Sequence, residues 1–525
     1  MPIPGIEPNI RLLVEKAATR YKEKKVLIFD HEGISLTYYE LNNKVNKFAN
    51  ALRSVGVLKG DHVAVMLPNC IEFPLTWLAI AKLGAVMIPT NINYQFQDLE
   101  YILNDSDASF LVIDAEKLPV YREIQSRCPS IKRILRVGEG EDDLGFSLNQ
   151  LAMEASSTLE PVDLTLEDLV NIQYTSGTTG FPKGCMLTHE YWLTLGLIAA
   201  ERLTPDDVFL SVQPFYYMDP QWQLIMTMTA GARMVLARKY SPSRYMELVR
   251  KYDVTCSLTP RAILVYKQQE SPLDGIHRLR FVNIFGFPPH LHKRFEERFK
   301  VIAREGYGMT EIGSCMRVPI EDEHMTGSGS VGKPVPFREV RIVDEKGKDV
   351  PQGEVGELMV RGPGIFKGYY KKIRETAEAF EGDWFHTGDL FRQDEKGYYY
   401  IVGRKKDMVR RHGENISASE VENVIRSHPK ILDVAVIPVP DEVRGEEVKA
   451  YIIPKPGETI QSIPPEEIIS FCLERIAKFK VPRFIEYRDS FPRTPTERVE
   501  KHKLIAEKKD LRSGCYDAEE KRWRN

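Results

Sequence analysis

Short apolar segments alternate with amphipathic helical segments over roughly the first 300 residues, and this alternation limits the fold more than any other feature. Residues 36–56 predict a helix, because Thr37 and Glu40 form a capping-box pair in front of an apolar stripe. Residues 62–67 then predict a buried strand, and residues 73–83 a second helix. Repeated strand–helix units predict parallel sheets that are covered by helices.

The pattern changes towards the C-terminus, which predicts a division into two domains. Beyond about residue 331, short strands between turn residues predict a β-rich subdomain. After residue 403, helices and strands mix in a compact α+β pattern of roughly a hundred residues. We therefore predict an α/β fold with a large N-terminal domain at 1–402, made of largely parallel sheets plus the β-rich subdomain, and a small α+β domain at 403–525. The boundary falls in the polar run 404–407.

Composition narrows the class of protein. The net charge of −3 provides no basic surface for nucleic acid. The seven cysteines lack metal-ligand spacing, which indicates reduced thiols and a cytoplasmic location. The most apolar stretch, 73–89, is too short to span a bilayer and contains Lys82, so it predicts a buried helix and no stable membrane insertion.

Residues 174–184, Tyr-Thr-Ser-Gly-Thr-Thr-Gly-Phe-Pro-Lys-Gly, follow a strand pattern directly and predict a loop that binds polyphosphate. Glycines let backbone N–H groups converge on an anion, and the hydroxyls and Lys183 add donors. Pro182 in front of Lys183 excludes a Walker A loop. An exposed flexible loop is the usual alternative for such a composition, but a strand that leads straight into the loop argues against it.

Three further segments carry groups suited to a nucleotide. Residues 306–311, Gly-Tyr-Gly-Met-Thr-Glu, place an aromatic ring, a hydroxyl and a carboxylate on one predicted loop, where the ring suits a nucleobase and the carboxylate Mg²⁺. Asp389 follows a predicted glycine turn and suits the hydroxyls of a ribose, and Arg404 suits the same sugar or a phosphate. Each signal alone is weak, because most surface charges are only solvated; their joint occurrence and order carry the inference.

In this order the motifs resemble the adenylate-forming superfamily, which includes acyl-CoA synthetases, peptide-synthetase adenylation domains and firefly luciferase. The resemblance extends over roughly residues 10–505. Among the members, the chain looks most like bacterial acyl-CoA ligases of the crotonobetaine/carnitine type, and the likeness includes residues 411–417. The motifs that carry it lie at 175–184, 306–311, 356–358, 368–369, 387–389, 403–407 and 413–415.

The resemblance implies a two-step reaction. A carboxylic acid reacts with ATP and Mg²⁺ to give acyl-adenylate and pyrophosphate, and the thiol of coenzyme A then displaces AMP to give a thioester. The small domain is implied to be mobile and to rotate between the steps about a hinge near Lys406. The expected partner is a small-molecule carboxylic acid, and a homodimer is left open.

The resemblance also implies residue roles. The polyphosphate would be held by Thr175, Ser176, Gly177, Thr178, Thr179, Gly180 and Lys183. The adenine and α-phosphate would be contacted by Tyr307, Gly308 and Thr310, Mg²⁺ by Glu311, and the ribose by Asp389 and Arg404. Gly413 would line the thiol tunnel in the second step.

The chain departs from the family pattern near its C-terminus. At the position of the family's catalytic lysine stands Arg498, and Glu497 replaces a glycine. Arginine keeps a permanent charge and can bridge a carboxylate and a phosphate, so the hypothesis is that Arg498 neutralises charge during adenylation. Lys501 or Lys503 is the alternative, although both suit a solvated helix face. With Arg498, the implied catalytic residues are Thr175, Lys183 and Glu311.

The acid pocket is predicted from two aromatic segments. The first contributes an aromatic box with one carboxylate, formed by Tyr216, Tyr217, Asp219 and Trp222. Such a box suits a quaternary ammonium, at about 0.5–2 kcal/mol for each cation–π contact. The alternative is that these rings fill the core and Asp219 caps a turn. Gly286 and Phe287 form the second segment, and the bulk of Phe287 favours a short pocket.

Other activities stay open at this point. The acceptor could be the phosphopantetheine thiol of a carrier protein instead of coenzyme A. The arginine at position 498 could also mark a nucleotide-binding scaffold without catalysis. An oxygen-using luciferase activity is the least favoured, because the ending Arg-Trp-Arg-Asn is not a peroxisomal signal.

Overall fold

The computed structural model describes residues 3–31, 33–140, 144–175, 182–411, 414–441, 444–494 and 498–524. The α-helices are α1 (Ile10–Tyr21), α2 (Tyr38–Ser54), α3 (Glu72–Leu83), α4 (Phe96–Asp105), α5 (Leu118–Ile124), α6 (Leu148–Glu154), α7 (His189–Ala200), α8 (Met218–Ala230), α9 (Tyr245–Lys251), α10 (Ala262–Tyr266), α11 (Pro289–Phe299), α12 (Ile373–Ala379), α13 (Ala418–Arg426), α14 (Pro465–Leu473) and α15 (Lys501–Ala506).

The strands are β1 (Lys25–Phe29), β2 (Ile34–Thr37), β3 (His62–Met66), β4 (Val86–Pro89), β5 (Phe110–Asp114), β6 (Arg133–Val137), β7 (Phe146–Ser147), β8 (Leu169–Thr175), β9 (Lys183–Thr188), β10 (Val208–Ser211), β11 (Arg233–Leu236), β12 (Cys256–Leu258), β13 (Phe281–Ile284), β14 (Ile302–Met309), β15 (Gly313–Arg317), β16 (Lys333–Pro334), β17 (Glu339–Val343), β18 (Gly356–Arg361), β19 (Phe380–Glu381), β20 (Trp384–Gln393), β21 (Tyr399–Arg404), β22 (Met408–Arg411), β23 (Glu414–Ser417), β24 (Ile431–Asp441), β25 (Gly445–Pro454), β26 (Phe484–Tyr487), β27 (Tyr516–Asp517) and β28 (Arg522–Trp523).

The described chain packs as two units. The first comprises residues 3–175, 183–339 and 360–383, and the second includes 340–359 and 384–524. The first unit contains a seven-stranded sheet in the order β7-β6-β5-β3-β4-β8-β9 and a nine-stranded sheet in the order β16-β15-β14-β13-β12-β10-β11-β1-β2. Their central strands are parallel, whereas β9 is antiparallel to β8, and β15 is antiparallel to β14. The predicted boundary at 404–407 stays a prediction.

The second unit is built on mixed and antiparallel sheets. Strand β18 lies next to β17 and β20, and β21 pairs with β20. A seven-stranded sheet follows in the order β23-β22-β25-β26-β27-β28, with β24 paired to β25. Helices α13 and α14 cover this sheet through an apolar cluster that includes Val421, Ile425 and Ile468. The α/β fold with a small α+β region near the C-terminus is therefore confirmed.

Local sequence signals were reliable where side chain and backbone satisfy each other. The Thr37 hydroxyl accepts the Glu40 N–H at 3.1 Å, and the Glu40 carboxylate accepts the Thr37 N–H at 2.8 Å, so the predicted capping box starts α2. The predicted strand at 62–67 and the helix at 73–83 are present as β3 and α3. Lys82 is fully buried in α3, with its ammonium 2.6 Å from Asn42 Oδ1 and 2.8 Å from Asn46 Oδ1.

Three predicted loops or turns are wrong in part. Lys183 and Gly184 belong to strand β9, because their backbone pairs with Thr175 and Tyr174. The segment 306–309 continues β14 and is not a loop, since it forms a hairpin with β15. Asp389 lies inside β20, where Gly388 takes a left-handed φ of 68° without ending the strand.

No helix in the described part of the chain combines the length and apolarity needed to cross a membrane.

Candidate active site

The predicted phosphate loop is bounded by an antiparallel strand pair. Thr175 ends β8 and lies opposite Lys183, which begins β9; the Thr175 hydroxyl is 3.5 Å from the Lys183 carbonyl oxygen. The five loop residues between them that were assigned to phosphate binding lie outside the described residues: Ser176, Gly177, Thr178, Thr179 and Gly180. The structure therefore gives the two ends of the loop, and both carry a predicted site residue.

Lys183, Tyr369 and Glu311 form a continuous polar chain at the end of this loop. The Lys183 ammonium lies 4.8 Å from the centroid of the Tyr369 ring, and the Tyr369 hydroxyl donates to Glu311 Oε1 at 2.9 Å. Burial, and then the charge of Glu311, raise the pKa of Tyr369, so its hydroxyl stays protonated and remains a donor. Backbone bonds hold the segment in place, because the Tyr370 N–H donates to the Gly184 carbonyl at 2.8 Å. An ammonium and a buried carboxylate are thus held on either side of one phenol.

The β14–β15 hairpin positions the 306–311 motif. A Cβ on Gly308 would lie 2.4 Å from the Gly313 carbonyl oxygen, so only glycine allows the two strands to approach this closely. Tyr307 is buried, with its hydroxyl 3.6 Å from Met309 Sδ. The turn after β14 contains Thr310, whose carbonyl accepts the Tyr191 hydroxyl at 2.9 Å. The hairpin therefore brings the predicted adenine and α-phosphate residues together with Glu311.

Glu305 is a buried carboxyl group just before this motif that sequence reasoning missed. It accepts the backbone N–H groups of Gly286 at 3.1 Å and Phe287 at 2.9 Å. Burial is stronger than these two hydrogen bonds and raises the pKa of Glu305 to about 7. The only signal in the sequence was its place next to the motif. Glu305 links the end of β13 to β14, and so connects the predicted acid-pocket segment to the segment of Tyr307.

The first segment of the predicted acid pocket comes together at the start of α8. The rings of Tyr216 and Tyr217 lie 4.7 Å apart. Asp219 accepts the Gln213 amide N–H at 2.7 Å through Oδ2 and the Trp222 indole N–H at 3.0 Å through Oδ1. Burial raises the pKa of Asp219. Both oxygens of this carboxylate therefore already accept hydrogen bonds from neighbouring side chains.

The second segment of the predicted pocket divides between surface and core. Gly286 is exposed with a φ of 60°. The Phe287 side chain is buried and packs on aromatic rings, 5.2 Å from Phe295 and 6.3 Å from Tyr266 between ring centroids. Phe287 thus forms part of the core beneath the segment, through contacts made by α10 and α11.

Within the second unit, the predicted ribose residues pair with each other. Arg404 Nε lies 3.0 Å from Asp389 Oδ1, and the two residues are opposite each other in the β20–β21 ladder. Buried Glu357 supports this pair through neighbouring residues. It accepts the Gly388 N–H at 3.1 Å and the Lys405 ammonium at 2.8 Å. Burial alone would raise the pKa of Glu357, but Lys405, and after it His386, bring this pKa below its usual value.

Two site residues were predicted in the C-terminal region, Gly413 and Arg498, and the structure describes only Arg498. Gly413 lies outside the described residues. Arg498 is exposed, and its backbone carbonyl accepts the Thr494 N–H at 2.8 Å. The two alternative lysines have carboxylate partners nearby: Lys501 lies 2.7 Å from Glu422, and Lys503 pairs with Glu500.

Glu305 gives a stability prediction that can be checked by pH. The folded-state pKa of Glu305 is about 7, above the ordinary 4.5. Its protonated carboxyl group therefore stabilises the folded state fully below pH 4.5, and this stabilisation is lost as the pH rises through 7. Between pH 5 and pH 8, the wild type should lose on the order of 2 kcal/mol of unfolding free energy relative to Glu305→Gln. Thermal or urea unfolding at both pH values measures this difference.

The control for this experiment is Glu297→Gln, an exposed glutamate on α11. It should follow the wild type at both pH values. His292 and Arg304, which line the same small cavity as Glu305, are unchanged in both variants. Parallel pH curves for the wild type and Glu305→Gln would contradict the prediction.

Two parts of the chain match known protein families. Residues 14–370 match the family model of the AMP-binding enzymes, and residues 420–498 match that of the AMP-binding enzyme C-terminal domain. The crotonobetaine/carnitine–CoA ligase of Salmonella typhimurium is 38% identical over 518 residues, which is 94% of this chain and 98% of that protein.

Solved structures give the same result. The anthranilate CoA ligase AuaEII in complex with anthranoyl-AMP has a TM-score of 0.86 at 28% identity, covering 96% of this chain and 98% of that one. ATP-bound MatB from Rhodopseudomonas palustris has a TM-score of 0.85 at 29% identity, covering 96% and 99%. The chain therefore belongs to the AMP-binding, adenylate-forming enzyme family.

Proposed function

We propose that the protein is an ATP-dependent acid–CoA ligase. The observation that carries the proposal is the contact chain of Lys183, Tyr369 and Glu311, in which a cation and a buried carboxylate lie on either side of one phenol at the end of the loop proposed to bind phosphate. The relatives support coenzyme A as the acceptor. Two proteins that are named as CoA ligases match this chain over nearly their whole length.

In the first step, the chain binds ATP and neutralises its charge. Lys183, Thr175 and the loop residues between them hold the β- and γ-phosphates, and Thr310 contacts the α-phosphate. A substrate carboxylate oxygen bonds to the α-phosphorus while the bond to the pyrophosphate oxygen breaks. Arg498 compensates the negative charge that the carboxylate and phosphate bring together. The ribose is held by Asp389 and Arg404, and the adenine by Tyr307 with Gly308.

Glu311 fits the role of a Mg²⁺ ligand. Mg²⁺ is commonly held by one or two carboxylates together with substrate phosphates and water, so a single acidic side chain suffices. The described residues contain no cluster of three or more acidic, histidine or cysteine side chains that could form an all-protein metal site. The ion would offset phosphate charge, and Tyr369 orients the carboxylate that holds it.

In the second step, the thiol sulfur of coenzyme A bonds to the acyl carbon, the bond from that carbon to AMP breaks, and the thiol proton is released. Gly413 and its neighbours line the path of the thiol. We also propose that the region 403–525 rotates about Lys406 between the two steps, so that one active site serves both reactions.

The proposed substrate is a small carboxylic acid that lies against Tyr216, Tyr217 and the exposed Gly286. Since both oxygens of Asp219 accept hydrogen bonds, a betaine-type acid would be recognised mainly by the aromatic rings through cation–π attraction. We also infer a cytoplasmic location, which is supported by seven cysteines that are all buried free thiols.

Acid-dependent pyrophosphate release, measured with and without coenzyme A, tests the proposed function. The panel contains short fatty, aromatic and betaine-type acids. We expect pyrophosphate release with a subset of acids and thioester only when coenzyme A is present. Thioester formation on a carrier protein alone would change the acceptor. ATP binding without release for any acid would replace the ligase by a nucleotide-binding scaffold.

Tyr369→Phe should lower kcat/KM for ATP roughly tenfold, because the ring under Lys183 remains while the buried Glu311 loses a donor worth about 1.5 kcal/mol. Initial rates of pyrophosphate release at varied ATP measure this effect. The matched control is Tyr370→Phe, which removes a phenolic oxygen from the adjacent residue. The Tyr370 hydroxyl donates to Asp107 at 2.8 Å on the surface. Equal effects of the two variants would contradict the role given to Tyr369.

Arg498→Ala should slow acyl-adenylate formation by about 10²–10³-fold, as expected for the loss of a group that stabilises transition-state charge. Arg498→Lys should restore part of the rate, because it keeps the charge but not the planar fork. Single-turnover pyrophosphate release measures both variants. A normal rate in Arg498→Ala together with a slow rate in Lys501→Ala or Lys503→Ala would transfer the role to that lysine.

A further inference from the structure

A buried carboxylate surrounded by arginines lies in the second unit, outside every site described so far. We propose that Glu447 is a positioning residue for thioester formation, and that it acts by holding Arg411 at the base of the β22–β23 hairpin. The proposal rests on the proposed function in one respect, since that function assigns Gly413, which lies between these strands in sequence, to the path of the thiol.

Glu447 lies on β25 with no solvent exposure, and three guanidinium groups surround it. Arg411 approaches with Nε 2.8 Å from Oε2 and Nη2 3.4 Å from Oε1. The 2.8 Å contact is an ion pair without hydrogen-bond alignment, because Oε2 accepts no well-aligned hydrogen bond. Arg444 and Arg483 approach the other oxygen, Arg483 at 3.3 Å. Removing one member of such a buried network leaves charge uncompensated, so its geometry is strongly coupled.

Arg411 connects this network to the hairpin. It is the last residue of β22 and lies opposite Glu414, the first residue of β23, so it marks the base of the turn. Its backbone pairs with Gly445 at the start of β25, and its Nη1 donates to the Phe479 carbonyl at 2.9 Å. The side chain of Arg411 is thus held by Glu447 from one side and by the backbone at Phe479 from the other.

The extreme C-terminus completes the network. Glu519 accepts ion pairs from Arg444 and, at 3.3 Å, from Arg483. Asp517 is fully buried in β27 and pairs with Arg483 at 3.2 Å and with Arg524 at 2.8 Å. Both acidic residues follow residue 498, where the match to the family's C-terminal model ends. Glu519 also lies 3.9 Å from Arg411, so this segment adds counter-charge beside all three arginines that surround Glu447.

The network should affect the two half-reactions differently. The ion pairs of the network end at Arg411, at the last described residue of β22. Lys183, Tyr369 and Glu311, assigned to ATP, belong to the first unit, and the second-unit residues assigned to the first step, Asp389, Arg404 and Arg498, are not members of the network. A shift of the hairpin base by a fraction of an ångström would misalign the thiol path and would leave phosphate binding intact. A purely structural role would instead lower both half-reactions together.

Glu447→Gln tests the proposal. The glutamine side chain is uncharged, and its NH₂ group would face the N–H donors of the arginines, so Arg411 would be released. Acyl-adenylate formation is measured as acid-dependent pyrophosphate release, and thioester formation by adding coenzyme A to enzyme loaded with acyl-adenylate. We expect the second rate to fall at least tenfold and the first to stay within twofold of the wild type. The matched control is Glu520→Gln, which loses pairs with Arg522 and Arg524 only and should leave both rates unchanged.

Arg411→Lys provides a second variant in case Glu447→Gln does not fold, since it keeps the charge but cannot reach Glu447 and the Phe479 carbonyl together. It should show the same selective loss of thioester formation. Equal losses in both half-reactions, or no loss in either, would overturn the proposal. A wild-type protein that releases no pyrophosphate with any acid would refute the proposed function, which is a different and recognisable outcome.

Discussion

One hydrogen bond between a phenol and a buried carboxylate holds the candidate site together. The Tyr369 hydroxyl donates to Glu311, and the Tyr369 ring lies under the Lys183 ammonium. The three residues come from segments that are far apart in the sequence. Low solvent exposure strengthens this hydrogen bond and makes its loss costly, because a buried carboxylate is stabilised by each donor that it retains. The orientation of Glu311, the carboxylate proposed to hold Mg²⁺, therefore depends on a residue outside the predicted phosphate motif.

Antiparallel strands added to parallel sheets provide the framework for this bond. Strand β9 places Lys183 opposite Thr175, and β15 forces β14 to continue past the parallel ladder as far as Met309. Backbone ladders are stiff compared with free loops, so the two ends of the predicted phosphate loop and the turn with Glu311 are held on rigid elements. The same principle applies in the second unit, where Asp389 and Arg404 face each other across β20 and β21.

Three buried glutamates hold neighbouring segments together, and the burial of each carboxyl group is compensated by different partners. Glu305 has two backbone N–H groups and its pKa rises towards neutrality, whereas Glu357 has cationic neighbours and its pKa falls. Glu447 is surrounded by three arginines. The difference follows from whether peptide dipoles alone or full charges compensate the cost of burial. Carboxylates in such environments fix the positions of the segments that contain the proposed site residues.

The alternation of strands and helices, the start of α2 and the order of the predicted nucleotide motifs could be recognised in the amino-acid sequence. These are local properties, because periodicity and capping involve residues a few positions apart. Long-range packing, in contrast, made Lys183 the start of a strand, brought Glu305 to the backbone of Gly286 and put Asp219 between Gln213 and Trp222. It also decided that Arg411 and Glu519 meet around Glu447. Burial and long-range pairing set these contacts, and neither leaves a periodic signal along the chain.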